Sequence, residues 1–216
     1  MGFLTDKISR NKLDKLIAPL ASKGVVLEVG SYGKPDYGKY FPNRKGIDIR
    51  PGPGVDIVAS VYELPFVDNS FDTVLCISVL EHLTEPSRAV VEMQRVLKPG
   101  GTIIISVPFL FPIHESPNDY WRFTKYGLQH LFVNGWKIEK LIAETNEQEA
   151  FAVLLQRFGY QTRLSFNSIF KVIIFSMARF ITLIPRVTKQ MYGDIRKKQP
   201  EPEAFASSFF LVARKQ

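Results

Sequence analysis

The sequence predicts an α/β fold in which a mostly parallel sheet is covered by helices on both faces. Val25–Val29 is apolar and largely β-branched, as expected of a strand buried on both faces, and it leads directly into a turn containing Gly30 and Gly33. Further along the chain, apolar strand patterns alternate with helical patterns, which is typical of βαβ units. We therefore expect a single α/β domain over residues 1–216.

The composition is that of an ordinary globular protein, with 45% hydrophobic and 23% charged residues. The single cysteine, Cys76, excludes an internal disulfide framework and a cysteine-based zinc site. Residues 1–20 contain acids and lysines throughout and no unbroken apolar run, so we expect no signal peptide and a cytoplasmic protein. Residues 163–198 carry eight basic residues and one acid, so their net charge of +7 equals that of the whole chain.

The other elements follow along the chain. Residues 3–20 have apolar residues at helical spacing, and a second helix is predicted from Pro86 to Leu97. Further strands are predicted at 45–50, 55–60, 73–78, 102–108, 136–143 and 207–214. About 60 residues separate the last two strands, which predicts a helical insertion at 147–203.

The turn after the first strand has the features of a nucleotide site. Gly30 and Gly33 allow the backbone to turn sharply and to come close to a ligand. Asp48 follows about 20 residues later, where an acid can hydrogen-bond ribose hydroxyls. The glycine spacing is not the G-x-G-x-x-G of dinucleotide sites, so NAD is not the first candidate. Glu28 lies within the apolar strand, where a carboxylate must be paired or functional.

Two parts of the chain resemble the class I S-adenosylmethionine-dependent methyltransferases. The run from Glu28 to Gly33 resembles their motif I, acid-x-Gly-x-Gly, with Tyr32 where the family usually has a second glycine. The segments LPFVDNSFDTVLCISVLEHL and EMQRVLKPGGTIIISVP resemble the middle motifs. This resemblance covers roughly residues 20–145. It implies a Rossmann-like sheet of seven strands with the last strand antiparallel, and S-adenosyl-L-methionine as the cofactor.

The resemblance also implies a donor site at the carboxyl ends of the first strands. The glycine turn is expected to hold the methionine end of the donor, Asp48 the ribose, and Ser60 with Val61 the adenine. Glu28 is expected to support the turn. The expected cofactor-binding residues are Glu28, Gly30, Ser31, Gly33, Asp48, Ile49, Ser60, Val61 and Ser78.

Residues 109–130 leave the carboxyl end of the fifth strand, where open α/β sheets bind ligands. A hydroxyl acceptor would need a base, and His114 is the first candidate because imidazole titrates near neutrality. Asp119 could orient His114 or cap a turn, and His82 is a further catalytic candidate. Tyr120, Trp121 and Arg122 are expected to bind the substrate or to serve in packing and ion pairing. Ligand-type residues do not cluster along the chain, so no metal is expected.

The segment from His114 to Thr124 resembles bacterial methyltransferases of surface-glycan and lipopolysaccharide synthesis. This resemblance implies O-methylation of a small-molecule, glycan-type or lipid-linked acceptor. Two alternatives stay open. One is methylation of a quinone or another metabolite. The other is an S-adenosylmethionine-binding scaffold that has lost catalysis, which Tyr32 favours.

Residues 164–189 are strongly apolar, and their polar residues recur mostly at three- or four-residue steps. This pattern predicts a helix with a narrow basic stripe. Lys171 and Arg179 interrupt the apolar run, which argues against a membrane span. We expect either packing on the domain or in a homodimer, or a peripheral contact of residues 164–198 with anionic lipid. Nucleic-acid binding is not expected, because the rest of the chain has no net charge and no base-stacking pattern is present.

Overall fold

A computed structural model of the chain describes residues 6–33, 37–163 and 167–216. Three parts of the predicted elements lie outside these ranges: the start of the first helix at 3–5, the end of the glycine turn at 34–36, and the start of the insertion helix at 164–166.

The described residues form five α-helices and nine strands. The helices are α1 (Ile8–Ile17), α2 (Pro86–Val96), α3 (Lys125–Leu131), α4 (Glu147–Gln161) and α5 (Asn167–Leu183). The strands are β1 (Val26–Val29), β2 (Arg44–Asp48), β3 (Ile57–Val58), β4 (Phe71–Ile77), β5 (Leu97–Pro108), β6 (Trp136–Ala143), β7 (Tyr192–Asp194), β8 (Gln199–Pro200) and β9 (Ser208–Lys215).

Seven of these strands form one sheet in the order β3-β2-β1-β4-β5-β9-β6. β1 pairs in parallel with β2 and β4, and β4 pairs in parallel with β5. The sheet is mostly parallel with one antiparallel pair. β9 comes last in the chain but lies between β5 and β6. The predicted fold class is therefore confirmed.

The carboxyl ends of the parallel strands meet at one edge of the sheet. Val29 at the end of β1 is in register with Ile47 of β2 and Cys76 of β4, and Ile47 is in register with Ile57 of β3. The strand order reverses beside β1, because β2 lies on one side of it and β4 on the other. Open α/β sheets bind their ligands in the crevice at such a reversal.

The central strands are buried, as their apolar sequences predicted. Val26, Leu27, Val74 and Leu75 of β1 and β4 have no exposed side-chain area. Burial of each such side chain contributes about 1.5–3 kcal/mol to folding. The crevice at the sheet edge therefore rests on a rigid pair of strands.

Two predicted boundaries differ from the structure. The third strand contains only Ile57–Val58, whereas 55–60 was expected, because Asp56 turns its carboxylate to accept a hydrogen bond of 2.6 Å from the Gly46 N–H. β5 begins at Leu97 and not at Thr102, because Leu97 already pairs with Phe71 across an irregular register.

The Cα packing divides the chain into two compact units. One comprises the described residues of 1–16, 109–112 and 143–208, and the other comprises 17–108, 113–142 and 209–216. The expected single domain with an insertion at 147–203 stays a prediction. Within the first unit, α4 packs on α5 around Gly159, where an added Cβ would lie 2.8 Å from the Phe175 ring. One face of α5 is thus packed within this unit, and packing on the rest of the domain or in a homodimer stays a prediction.

One basic residue of the insertion, Arg179, points toward this packed face. Arg179 is buried and donates a hydrogen bond to the Asp6 carbonyl, and Arg186 Nε lies 2.9 Å from a Glu147 carboxylate oxygen. The predicted basic stripe is therefore turned inward at Arg179, whereas the paired Arg186 side chain stays 52% exposed. The outward side chains include the exposed apolar residues Ile169, Phe170, Met177, Phe180 and Leu183.

No helix among the residues that the structure describes is long and apolar enough to cross a bilayer. The antiparallel pair of β7 and β8 follows α5 within the insertion and was not predicted.

Candidate active site

The turn after β1 has the backbone conformation that its glycines permit. Gly30 has a φ of 72° and Gly33 a φ of 60°, values that residues with a Cβ adopt rarely. The Gly30 N–H donates to the Ile47 carbonyl at 2.8 Å, which fixes the turn to β2. The space beside Gly33 is open, since a Cβ placed there would have no neighbour within 4 Å. The turn thus leaves room for a ligand.

Tyr32, which replaces the usual second glycine, fits this turn without backbone strain. Its φ is not in the left-handed region that favours glycine. The Tyr32 ring lies against Gly52, where an added Cβ would come within 2.3 Å of the ring. The Arg50 guanidinium lies 4.6 Å from the centre of the same ring, on its face. The departure from the family motif therefore leaves the turn intact.

Glu28 is a structural carboxylate below the turn. It is 2% exposed, and its Oε2 lies 2.6 Å from Nη1 of Arg44 on the neighbouring strand. The same Arg44 nitrogen donates to the Gly54 carbonyl at 3.3 Å. Pairing offsets the cost of burying the charge, and it ties β1 to the loop after β2. This geometry agrees with the expected supporting role.

The floor of the turn has no room for a side chain at position 46. An ideal Cβ on Gly46 would lie 2.3 Å from the Gly54 carbonyl oxygen and 2.6 Å from Ser31 Oγ. Ser31 Oγ is buried and has no hydrogen-bond partner within the described ranges, and the Ser31 N–H donates to the Ile47 carbonyl. The polar groups of Ser31 therefore lie inside the turn.

Asp48 ends β2 beside the glycine turn. Its Oδ2 accepts a long hydrogen bond of 3.4 Å from the Tyr32 N–H, and its Oδ1 accepts one of 3.0 Å from the Arg50 N–H. The side chain is 9% exposed, so it can still be reached from the crevice. An ionised carboxylate has further lone pairs that can accept hydrogen bonds from ribose hydroxyls. The next residue, Ile49, is 72% exposed and offers apolar surface against which an adenine ring could pack.

The other expected donor-binding residues lie at the same sheet edge. Ser60 and Val61 follow β3, with Ser60 Oγ accepting a hydrogen bond of 3.2 Å from the Tyr62 N–H and with Val61 buried. Ser78 directly follows β4 with a φ of 50°, and its N–H donates to the Ser106 carbonyl at 2.8 Å. The open glycine turn and the reachable Asp48 carboxylate fit an adenosine-type cofactor. The individual contacts stay predictions.

Residues 113–124, which we call the acceptor loop, are fastened to the turn after β4. The Tyr120 and Trp121 N–H groups donate to the Glu81 carbonyl at 2.8 and 3.1 Å. The Trp121 indole N–H donates to the Leu83 carbonyl at 2.7 Å. These bonds hold the loop at the edge where β4 ends, and the side chains of Tyr120 and Trp121 are partly exposed beside it.

The loop brings His114 to a buried carboxylate. Glu81, His82 and His114 form what we call the histidine cluster. Glu81 is fully buried, and its Oε1 lies 3.8 Å from Nε2 of His82 and 3.8 Å from Nε2 of His114. The two imidazole rings meet edge to face, with their centres 4.8 Å apart. Both catalytic histidine candidates therefore lie in one place.

Asp119 contacts His114 and is itself held by Arg122. Its Oδ2 accepts the His114 backbone N–H at 2.8 Å and lies 3.4 Å from His114 Nδ1. Arg122 donates to both carboxylate oxygens, at 2.7 and 2.6 Å. These bonds, chiefly those from Arg122, lower the pKa of Asp119 to about 2. Asp119 therefore stays ionised near neutrality and is unsuited to accept a proton there.

Sequence reasoning missed Glu81. It directly precedes His82 in an apolar stretch, and nothing in the local pattern shows that it contacts a loop more than 30 residues away. The three residues of the histidine cluster do not have metal-ligand spacing along the sequence. The fold nevertheless brings their side chains, all of types that bind metal ions, close together. Arg50 Nη1 lies 3.7 Å from Glu115 Oε2, so the loop after β2 contacts the acceptor loop. The sequence did not predict this contact either.

A family described as "Methyltransferase domain" matches residues 43–105, which run from β2 through β4 and α2 into β5. Over this range the chain is similar to a methyltransferase domain. Within this domain, the matched residues include Asp48 and the histidine-cluster members Glu81 and His82. The acceptor loop follows directly after the matched range.

Curated relatives support the same domain. A ubiquinone/menaquinone biosynthesis C-methyltransferase of Psychromonas ingrahamii is 32% identical over 100 residues, which are 46% of this chain and 36% of that protein. A demethylmenaquinone methyltransferase of Renibacterium salmoninarum is 43% identical over 58 residues, 26% of this chain and 24% of the relative. The chain spans less than half of the length of these curated relatives.

Solved structures share the fold of the methyltransferase domain. The [4+2]-cyclase SpnF has a TM-score of 0.59 at 19% identity, with 96% of this chain and 81% of that chain covered. The 1,6-didemethyltoxoflavin-N1-methyltransferase of Burkholderia thailandensis, solved with its substrate and S-adenosylhomocysteine, has a TM-score of 0.56 at 17% identity, with 98% and 80% covered. At sequence identities of 19% and 17%, these similarities show a shared fold and nothing further.

Proposed function

We propose that the chain is an S-adenosylmethionine-dependent methyltransferase that methylates a hydroxyl group of a small-molecule, glycan-type or lipid-linked acceptor. The observation that carries this proposal is the placement of two sites at one sheet edge. The open glycine turn with Asp48 suits the donor, and the histidine cluster with the acceptor loop suits the acceptor. The contact between Arg50 and Glu115 joins the two sites.

The donor, when bound, supplies a methyl group on a positively charged sulfur. Asp48 would hold the ribose, and the open space at Gly33 would admit the methionine end. The domain's main task is to align the two reacting atoms for an in-line displacement. Such alignment supplies about 7–11 kcal/mol in comparable intramolecular reactions.

His114 would take the acceptor's proton at Nε2. Its Nδ1 faces the Asp119 carboxylate, which favours the tautomer with hydrogen on Nδ1 and a lone pair on Nε2. His114 would receive the proton that the acceptor oxygen loses, and the donor would supply the methyl group that takes its place. Asp119 and buried Glu81 stabilise the imidazolium that results, because both carry carboxylates near the ring. Tyr120 and Trp121 offer partly exposed rings to a sugar or lipid head group.

The first test is calorimetric titration of the purified chain with S-adenosylmethionine and, separately, with NAD. We expect micromolar binding of S-adenosylmethionine and no binding of NAD, because the glycine turn lacks the dinucleotide spacing. S-adenosylmethionine carrying a labelled methyl group, added to separated glycan and lipid extracts, would then show which fraction contains the acceptor. Absence of donor binding would contradict the proposal.

The exposed face of α5 supports a peripheral contact with anionic lipid. Phe170, Met177 and Phe180 are apolar and exposed, and the same unit carries the exposed cations Arg196 and Lys197. Amphipathic helices that combine exposed apolar residues with basic residues bind anionic bilayers. This contact would bring the enzyme to a lipid-linked acceptor.

We expect the chain to sediment with vesicles that contain anionic phospholipid and not with neutral vesicles. Phe180→Ser should weaken this binding, since it removes apolar contact area. Phe151→Ser, which changes an exposed phenylalanine on α4, is the matched control. If instead light scattering shows a stable dimer that Phe180→Ser dissociates, the apolar face is a homodimer interface and not a lipid contact.

Two alternatives are each favoured by one observation. The similarity to ubiquinone/menaquinone C-methyltransferases favours a quinone-type acceptor. The likeness in fold to a [4+2]-cyclase favours a domain that binds the donor without transferring its methyl group, since this fold is not restricted to methyl transfer. Label in a quinone fraction would support the first alternative, and tight donor binding without label transfer to any fraction would support the second.

A further inference from the structure

The histidine cluster contains three side chains of the types that bind transition-metal ions. Glu81 Oε1 lies 3.8 Å from Nε2 of His82 and from Nε2 of His114, and one ligand atom from each residue can be chosen so that all three lie within 4.8 Å of one another. Two histidines and a glutamate, with a fourth position for water, form a ligand set that zinc uses in catalytic sites.

The outer nitrogen of each imidazole faces an oxygen atom that can only accept. His82 Nδ1 lies 2.6 Å from the Asn118 carbonyl oxygen, and His114 Nδ1 lies 3.4 Å from Asp119 Oδ2. The carbonyl favours a hydrogen on Nδ1 of His82, and the negative charge of the Asp119 carboxylate favours the same tautomer of His114, which leaves the lone pair of each ring on Nε2. Metal-binding histidines are oriented in the same way, by a carbonyl or carboxylate behind the ring.

Two lone pairs and a carboxylate oxygen therefore converge inside the protein. Electron-rich atoms that approach one another in a poorly solvated place repel unless positive charge lies among them. The Arg122 guanidinium supplies part of this charge from the side of Asp119 and interacts electrostatically with Glu81, and a proton or a metal ion among the three atoms would supply the rest. The side chains of His82 and His114 are 20% and 19% exposed, so an ion can enter from solvent, whereas Glu81 is fully buried.

We propose that Glu81, His82 and His114 form a binding site for a divalent transition-metal ion, for which zinc is the best match. Zinc bonds to nitrogen and oxygen are about 2.0–2.2 Å long, which places tetrahedral ligand atoms about 3.4 Å apart. The separations of 3.8 Å between Glu81 and each histidine are close to this value. Small side-chain shifts would complete the site.

The consequence for catalysis rests on the proposed function. Nε2 of His114 cannot hold a metal ion and accept a proton at the same time. Zinc is therefore expected to inhibit methyl transfer that uses His114 as the base, and a chelator should restore it. Zinc binding itself needs neither donor nor acceptor, so it can be measured independently of the reaction.

The test is calorimetric titration of the full chain with zinc chloride at neutral pH, after treatment with a chelator and desalting. We expect one zinc ion per chain. His82→Ala and Glu81→Gln should each weaken binding at least tenfold, and Asp119→Asn should weaken it about 10–100-fold through the orientation of His114. His130→Ala is the matched control, because His130 is the third histidine of the chain and is exposed on α3.

Affinity for S-adenosylmethionine provides the folding control for each variant. Cobalt(II) added to the unaltered chain gives a second measurement that no folding defect can affect, because a four-coordinate site produces strong visible absorption. Absence of zinc binding by the unaltered chain would overturn the proposal, as would wild-type affinity in both His82→Ala and Glu81→Gln. Donor binding without zinc binding overturns only the metal site, whereas zinc binding without donor binding overturns only the proposed function.

Discussion

Replacing Asp48 with alanine is expected to lower the affinity for S-adenosylmethionine about a hundredfold or more, so that binding is no longer measurable. Hydrogen bonds to a charged group contribute about 1.5–3 kcal/mol each, and a ribose offers two hydroxyls. A loss of about 3 kcal/mol corresponds to about a hundredfold in Kd. The substitution also removes the acceptor for the Tyr32 and Arg50 N–H groups, which loosens the turn. Calorimetric titration measures the change directly.

Two further variants separate the ribose contact from general damage. Asp48→Asn keeps the size of the side chain and removes its charge, so we expect an intermediate affinity. Asp68→Ala removes an exposed carboxylate that pairs with Arg95 at 2.7 Å on another part of the surface, and donor affinity should not change. Wild-type affinity in Asp48→Ala would show that Asp48 does not hold the ribose.

Replacing His114 with alanine is expected to reduce kcat by about 10²–10⁴-fold, which is the usual contribution of a general base. The Kd for S-adenosylmethionine should stay the same, because no predicted donor-binding residue belongs to the histidine cluster. The lower kcat reflects the loss of the group that receives the acceptor's proton. The measurement is transfer of labelled methyl to the acceptor fraction, with donor affinity determined in parallel.

Added imidazole distinguishes a lost base from a disturbed loop. If His114→Ala leaves a space where the ring stood, free imidazole should restore part of the rate, whereas it should not affect the unaltered enzyme. His130→Ala should behave like the unaltered chain, since His130 is exposed on α3. Undiminished turnover in His114→Ala would exclude the residue as the base.

The sheet and the donor turn could be predicted because their signals are local. An apolar, β-branched run followed by two glycines specifies a buried strand and a left-handed turn, and the structure has both at Val26–Val29, Gly30 and Gly33. Asp48 could be predicted from its position at the end of the next strand. Each of these features depends on neighbours in the sequence and on the regular pairing of strands.

The acceptor side could be predicted only in part, because its contacts are distant in the sequence. His114 and Asp119 could be identified by residue type, but no pattern shows that Glu81 lies between two imidazoles or that Arg122 holds both oxygens of Asp119. The orientation of α5 was missed for a similar reason. Helical periodicity finds the polar stripe, but only the position of the Asp6 carbonyl explains why Arg179 turns inward.

The crowded floor under Gly46 has a consequence for how genetic variation in this protein is interpreted. Gly46 has no functional group. Any side chain at this position would nevertheless collide with the Gly54 carbonyl and with Ser31, and would distort the glycine turn. Substitutions at Gly46 would therefore produce the same phenotype as substitutions at Asp48. A mutational survey based on phenotype alone would count this glycine as a ligand-binding residue, although what it provides is an empty volume.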